Sequence, residues 1–130
     1  MSSNIGILGL GVMGKNLAWN IEDKKYSVSI HSRDNNEIND TIQKSHYQKI
    51  YPAYNLKEFV DSLEKPRKIL LMIKAGSPTD NMINTLLPLL DDDDILIDGG
   101  NTNYQDTIRR NKALAESGVN FIGMGVSGGE

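Results

Sequence analysis

The sequence predicts an α/β fold, with a doubly wound and mostly parallel sheet that carries helices on both faces. Two observations support this prediction. Short apolar runs alternate with longer amphipathic stretches along the 130 residues, and a glycine-rich turn joins the first run to the first such stretch. This alternation is typical of repeated strand–helix units, whose helices cover a parallel sheet. The length fits one domain over residues 1–130.

The first half of the chain predicts two strands and three helices. Residues 5–8 form a short, uniformly apolar run and residues 26–30 are rich in β-forming side chains, so each predicts a strand. Apolar residues at helical spacing predict a helix over 12–24, a weak one over 35–45 and a short one over 56–63. Residues 51–54 are irregular, and we expect a loop there with at most a short strand.

The second half predicts three strands and two helices. Residues 68–73 are the most hydrophobic run, which predicts a central strand buried on both faces. A helix is expected over 79–90, with Pro78 near its start, where a missing N–H costs little. The strand expected over 95–97 is followed by a helix over 104–117, and residues 119–122 predict the sixth strand.

Composition excludes several classes of function. The net charge of −3 gives no basic face for nucleic acid, and the absence of cysteine excludes disulfides and zinc–thiolate sites. No stretch approaches the roughly 20 apolar residues of a membrane span. The N-terminus lacks the basic start of a secretory signal, so we expect a cytoplasmic protein. The acidic run Asp91 to Asp94 and the basic group Arg109, Arg110 and Lys112 are interpreted as solvated surface.

The turn Gly9-Leu10-Gly11-Val12-Met13-Gly14 has the spacing G-x-G-x-x-G. Because it follows a predicted strand and opens a predicted helix, it indicates a Rossmann-type dinucleotide site. Gly9 would allow the tight turn, Gly11 would let the backbone approach a pyrophosphate, and Gly14 would permit close packing of helix on strand. Free N–H groups at the helix start would then bind the phosphates. The alternative is a tight turn with no ligand.

The choice of cofactor depends on the end of the second strand, where an acidic residue usually binds the ribose in NAD-specific sites. Ser32 occupies that position, and the guanidinium of Arg33 suits a 2′-phosphate, which favours NADP. Asp34 adds a carboxylate that could pair with Arg33 or repel the phosphate. NAD therefore stays possible.

Three further segments resemble the successive signatures of the 6-phosphogluconate dehydrogenase family, in the right order and spacing. They are Leu71-Met72-Ile73-Lys74-Ala75-Gly76, Ile97-Asp98-Gly99-Gly100-Asn101-Thr102 and Gly123-Met124-Gly125-Val126-Ser127-Gly128-Gly129-Glu130. The resemblance covers essentially the whole chain. In two places the chain departs from the family, which often has alanine at the position of Gly11 and commonly has Asn-Arg-Thr or Asn-Arg-Ser in place of Ser32 to Asp34.

This resemblance implies oxidative decarboxylation of 6-phosphogluconate to ribulose 5-phosphate in the pentose phosphate pathway, with hydride transfer to NADP. By matching positions, it assigns the pyrophosphate to 9–14 and the adenosine ribose to Ser32, Arg33 and Asp34. It also assigns Ile73, Lys74 and Ala75 to the cofactor, and Asn101 to both nicotinamide and substrate. Ser127, Gly128 and Gly129 would bind the substrate.

The family's catalytic lysine and glutamate lie beyond these 130 residues, as does its all-helical C-terminal domain. We therefore expect the chain to be a piece of a longer, homodimeric enzyme, able alone to bind cofactor but not to turn over substrate. Two alternatives stay open: a related β-hydroxyacid dehydrogenase acting on a small acid, and a non-catalytic nucleotide sensor.

Overall fold

A computed structural model describes residues 2–73, 77–99 and 104–123, apart from the side chains of residues 77, 104, 106 and 107. Strands and helices alternate along these residues. In chain order they are β1 (Ile5–Leu8), α1 (Val12–Asp23), β2 (Val28–His31), α2 (Asn35–Gln43), β3 (Ile50–Pro52), α3 (Leu56–Asp61), β4 (Lys68–Leu71), α4 (Ser77–Leu86), β5 (Ile95–Asp98), α5 (Tyr104–Ala115) and β6 (Asn120–Gly123). None of the helices in this part of the chain is both long enough and apolar enough to cross a bilayer.

The strands form one sheet in the order β3-β2-β1-β4-β5-β6, and every neighbouring pair is parallel. This confirms the predicted doubly wound fold. From β1 the chain builds the sheet outward through β2 and β3, and then returns to place β4 on the other side of β1. The strand order therefore reverses between β1 and β4, and in such sheets ligands bind beside this reversal, at the carboxyl ends of the strands.

Two apolar clusters fill the two faces of the sheet. Ala18 of α1 and Ile38 of α2 pack in one cluster with Ile7 and Ile30. The other cluster contains Phe59 of α3 together with buried side chains of α4 and α5. Strand β4 contributes to both clusters, so the predicted burial of this strand on both faces is confirmed. The clusters hold the carboxyl ends of β1 and β4 side by side.

Several predicted boundaries shift. The helix expected over 79–90 starts at Ser77 and ends at Leu86, followed by a 3₁₀ turn over Leu87–Leu89. Pro88 explains this end, because a proline ring clashes with the carbonyl four residues earlier and lacks an N–H. Residues 51–54, where a loop with at most a short strand was expected, overlap the three-residue strand β3, which extends the sheet beside β2.

The interpretation of the acidic run as wholly solvated is wrong for Asp94, which is buried. Its carboxylate accepts hydrogen bonds from the backbone N–H groups of Arg67 (2.7 Å) and Asp91 (2.8 Å) and pairs with the Arg67 guanidinium at 3.0 Å. Arg67 lies 27 residues earlier in the chain, just before β4. The pair therefore ties the start of β4 to the start of β5.

Glu22, near the end of α1, is also fully buried. Its carboxylate accepts hydrogen bonds from the Ser45 hydroxyl and from the backbone N–H groups of His46 (2.9 Å), Tyr47 (3.2 Å) and Lys49 (2.9 Å). Burial alone raises the pKa of this carboxyl, but the four hydrogen bonds outweigh burial and hold the pKa below its ordinary value of 4.5. Glu22 thereby anchors the loop between α2 and β3.

We predict that Glu22→Gln lowers the free energy of unfolding at pH 7 by about 2 kcal/mol, because an amide cannot accept all four hydrogen bonds. A depressed folded-state pKa stabilises the fold above the ordinary value of 4.5, and that contribution is lost as the pH falls through the folded-state pKa. The gap between wild type and variant should therefore narrow in acid. Urea unfolding of wild type and variant at pH 7 and pH 4 measures this difference in stability. Glu116→Gln, at an exposed position, is the control. A gap that is constant with pH would contradict this account.

Candidate dinucleotide-binding cleft

A cleft of about 810 Å³ opens at the reversal of strand order between β1 and β4. This volume falls in the range of small-molecule and cofactor sites. Its lining comes from the carboxyl ends of three strands and from two helices: residues 8–11 at the end of β1, 31–34 at the end of β2, 72–73 after β4, Glu37 of α2, and Pro78, Asn81, Met82 and Thr85 of α4. The cleft therefore lies at the carboxyl ends of the strands, beside the strand-order reversal where such folds bind ligands.

The structure gives a different reason for the presence of glycine at each of the three positions of the turn. Gly9 has a φ of 104°, and a Cβ there would overlap the carbonyl oxygen of Met72. A Cβ at Gly14 would overlap the carbonyl oxygen of Gly9, which confirms the close packing of helix on strand predicted for Gly14. Gly11 is exposed, lines the cleft, and has no heavy atom within 4 Å of a built Cβ. The protein itself requires Gly9 and Gly14, whereas the space at Gly11 is open to a ligand.

The first turn of α1 offers free N–H groups to this space. Gly11 is the N-cap, with no side-chain hydrogen bond to the helix, and the first turn contains no acidic residue. Helices α2 and α3, by contrast, are capped by Asp34 and Asn55 and carry an acidic residue in the first turn. An uncapped helix start with unpaired N–H groups and a positive dipole end favours an anion. The geometry fits the pyrophosphate of a dinucleotide.

At the end of β2, Ser32 is buried and Arg33 is exposed. The Ser32 hydroxyl donates to a carboxylate oxygen of Glu37 at 2.5 Å and accepts from the backbone N–H of Asp34 at 3.2 Å. The Asp34 carboxylate accepts from the backbone N–H of Asn36 at 2.9 Å and so caps α2. Within the described residues Arg33 has no ion-pair partner, so the pairing with Asp34 that the sequence left open does not form.

The remaining predicted residues divide into three groups. Leu10 and Ile73 line the cleft. Val12 (78% exposed) and Met13 (44% exposed) lie at the surface at the start of α1 and do not line it. Lys74, Ala75, Asn101, Ser127, Gly128 and Gly129 lie outside the described residues.

Sequence reasoning did not find Glu37 or the α4 wall of the cleft. Glu37 stands three residues after Asp34, the spacing of a capping pattern at a helix start. That spacing was the available signal that its carboxylate lies close to the end of β2. Among the described residues there is no group of three potential metal-binding side chains, so nothing in this part of the chain suggests a metal centre.

Arg110 corrects the interpretation of the basic group on α5 as a solvated face, because its side chain is buried. Its guanidinium contacts Asp80 of α4 at 2.7 Å and Asp98 of β5 at 3.4 Å. The hydrogen bond from Arg110 lowers the pKa of Asp80 below its ordinary value. Asp98 is the last residue of β5. The two ion pairs of Arg110 therefore fix α4 and α5 against the sheet beside the cleft.

A family model described as the NAD-binding domain of 6-phosphogluconate dehydrogenase matches residues 4–130. The chain belongs to this family. It is 69% identical over 130 residues to a decarboxylating 6-phosphogluconate dehydrogenase of Staphylococcus epidermidis and 66% identical to one of Staphylococcus aureus. In each case the match covers 100% of this chain and 28% of the relative. The chain thus spans little more than a quarter of the curated relatives.

Solved structures agree with the family. 6-Phosphogluconate dehydrogenase of Plasmodium falciparum, studied in apo form and in complexes with NADP⁺ and 6-phosphogluconate, superposes with a TM-score of 0.85 at 35% identity. This match covers 91% of the chain and 26% of that protein. A 3-hydroxyisobutyrate dehydrogenase of Mycobacterium tuberculosis has a TM-score of 0.82 at 18% identity, covering 99% of this chain and 42% of that one. The second likeness concerns the fold alone.

Substitutions at Gly14 and Gly11 should separate the effect of the turn on folding stability from its effect on dinucleotide binding. Gly14→Ala should lower the free energy of unfolding by about 2 kcal/mol or more, because backbone atoms of Gly9 must move. Gly11→Leu should lower it by about 1 kcal/mol or less, the cost of a poorer N-cap, but weaken dinucleotide binding at least tenfold by filling the open space. Urea unfolding and calorimetric titration measure the two effects. A loss of stability in Gly11→Leu as large as that in Gly14→Ala would show that Gly11 is also needed for folding.

Proposed function

We propose that this chain is the cofactor-binding part of an oxidoreductase that oxidatively decarboxylates 6-phosphogluconate to ribulose 5-phosphate, with NADP as hydride acceptor. One structural observation carries the proposal: the uncapped start of α1 opens into a cleft at the strand-order reversal, in a chain of this family. The relatives that share 69% and 66% of its residues are decarboxylating 6-phosphogluconate dehydrogenases. The whole protein is proposed to be a cytoplasmic homodimer.

In this proposal the chain binds and orients the cofactor. The N–H groups of residues 11–14 hold the pyrophosphate, and the exposed guanidinium of Arg33 reaches the 2′-phosphate of the adenosine ribose. Ile73, Lys74 and Ala75 line the cofactor, and Asn101 orients the nicotinamide and the substrate. Ser127, Gly128 and Gly129 bind the substrate. When bound, NADP accepts the hydride that leaves the substrate carbon.

The chain alone is proposed to bind cofactor without turnover, because the family's catalytic lysine and glutamate fall outside its 130 residues. Comparing 6-phosphogluconate with small 3-hydroxyacids as substrates of the protein at its full natural length tests the substrate. Preference for a small acid would place the protein with the β-hydroxyacid dehydrogenases.

The cofactor assignment predicts that NADP binds more tightly than NAD. Arg33→Ala should weaken NADP binding by about tenfold and change NAD binding by less than threefold, because only NADP carries the phosphate that the guanidinium contacts. Calorimetric titration with each dinucleotide measures both. Arg109→Ala is the control, since Arg109 is an exposed arginine outside the cleft. If Arg33→Ala weakened the binding of NADP and of NAD by the same factor, Arg33 would not be the residue that recognises the 2′-phosphate.

A further inference from the structure

Glu37 brings a second carboxylate to the end of the cleft where the adenosine ribose is proposed to bind. It is the third residue of α2, is half-buried, and lines the cleft with Ser32, Arg33 and Asp34. Among the described residues, its carboxylate accepts one side-chain hydrogen bond, which the Ser32 hydroxyl donates at 2.5 Å. The cap of α2 is already supplied by Asp34.

The hydrogen bond to Glu37 decides what Ser32 can offer a ligand. A serine hydroxyl has one proton to donate and two lone pairs that accept. The proton is committed to Glu37, and one lone pair takes the N–H of Asp34. What remains is an acceptor, which can bind a ribose hydroxyl but not a phosphate, since the oxygens of an ionised phosphate only accept.

The charges around the cleft also disfavour a 2′-phosphate. Among the described residues that line the cleft, Arg33 is the one lysine or arginine, whereas Asp34 and Glu37 both carry carboxylates. A 2′-phosphate carries roughly two negative charges at pH 7. The partial positive charge of the α2 N-terminus is offset by the carboxylate of the N-cap Asp34 and by that of Glu37 in the first turn. Glu37 is half-buried, so solvent screens its repulsion of a phosphate less than it would screen a fully exposed charge.

We propose that Glu37 is a specificity-determining residue that narrows the preference for NADP over NAD, by committing the Ser32 hydroxyl proton and repelling the 2′-phosphate. This inference rests on the proposed dinucleotide function. Arg33 attracts the phosphate and Glu37 opposes it, so the affinity for NADP exceeds the affinity for NAD by less than it would with Arg33 alone.

Two variants separate the contributions. Glu37→Gln removes the charge and keeps an acceptor for the Ser32 hydroxyl, whereas Glu37→Ala also frees that hydroxyl to donate. Both should raise NADP affinity about fivefold to tenfold, with Glu37→Ala at least as effective, while NAD affinity changes by less than twofold. The readout is the ratio of the dissociation constants for NADP and NAD, by calorimetric titration of the protein at its full natural length. Titration with 2′,5′-ADP and 5′-AMP probes the adenosine end alone and should show the same change.

Glu58→Gln is a matched control. Glu58 occupies the same position in the first turn of α3, three residues after the N-cap Asn55, and does not line the cleft. Glu58→Gln removes one negative charge, as Glu37→Gln does, and should leave the ratio of the dissociation constants for NADP and NAD unchanged. A change below twofold in both Glu37 variants, in a protein that binds both dinucleotides, would overturn the role of Glu37. Failure of the wild type to bind either dinucleotide would instead overturn the proposed function, and the inference with it.

Discussion

The close contact between Gly9 and the backbone of Met72 is the constraint on which the cleft depends. Gly9 turns the chain out of β1 with a positive φ, and no side chain fits between it and the Met72 carbonyl. The next turn of chain is held just as closely, because Gly14 packs on the Gly9 carbonyl. Together these contacts place the start of α1 directly over the gap between β1 and β4. A side chain at either position would move the helix start away from the proposed phosphate site.

Buried charged side chains at three places in the fold each join parts of the chain that are distant in sequence. Glu22 gathers the loop before β3, Arg67 with Asp94 joins the starts of β4 and β5, and Arg110 with Asp98 joins α5 to the end of β5. Burying a charge is costly unless it is paired or hydrogen-bonded. These groups therefore fix one arrangement of the loops and helices, because any other would leave a buried charge unsatisfied.

The sequence predicted the features that arise from local patterns. Apolar periodicity predicted the alternation of strands and helices, and glycine spacing predicted a turn that lines the cleft. The solvated interpretations of Asp94 and Arg110 were wrong because the partners lie on other elements, and only the packed sheet brings them together. Glu37 was missed for a related reason. Its spacing from Asp34 is visible in the sequence, but the direction of its side chain depends on how α2 packs against the sheet.

The position of the cleft relative to the two apolar clusters has a consequence for the entropy of binding. Its floor is formed by the ends of β1 and β4, the central strands, which contribute buried side chains to both clusters. Backbone in such doubly covered strands opens only with the most costly unfolding events of a domain. We therefore expect the end of the cleft formed by β1 and β4 to be ordered before a ligand binds. A ligand that binds at this end of the cleft should cost the protein little conformational entropy. The affinity should therefore be higher than at a site that becomes ordered only on binding.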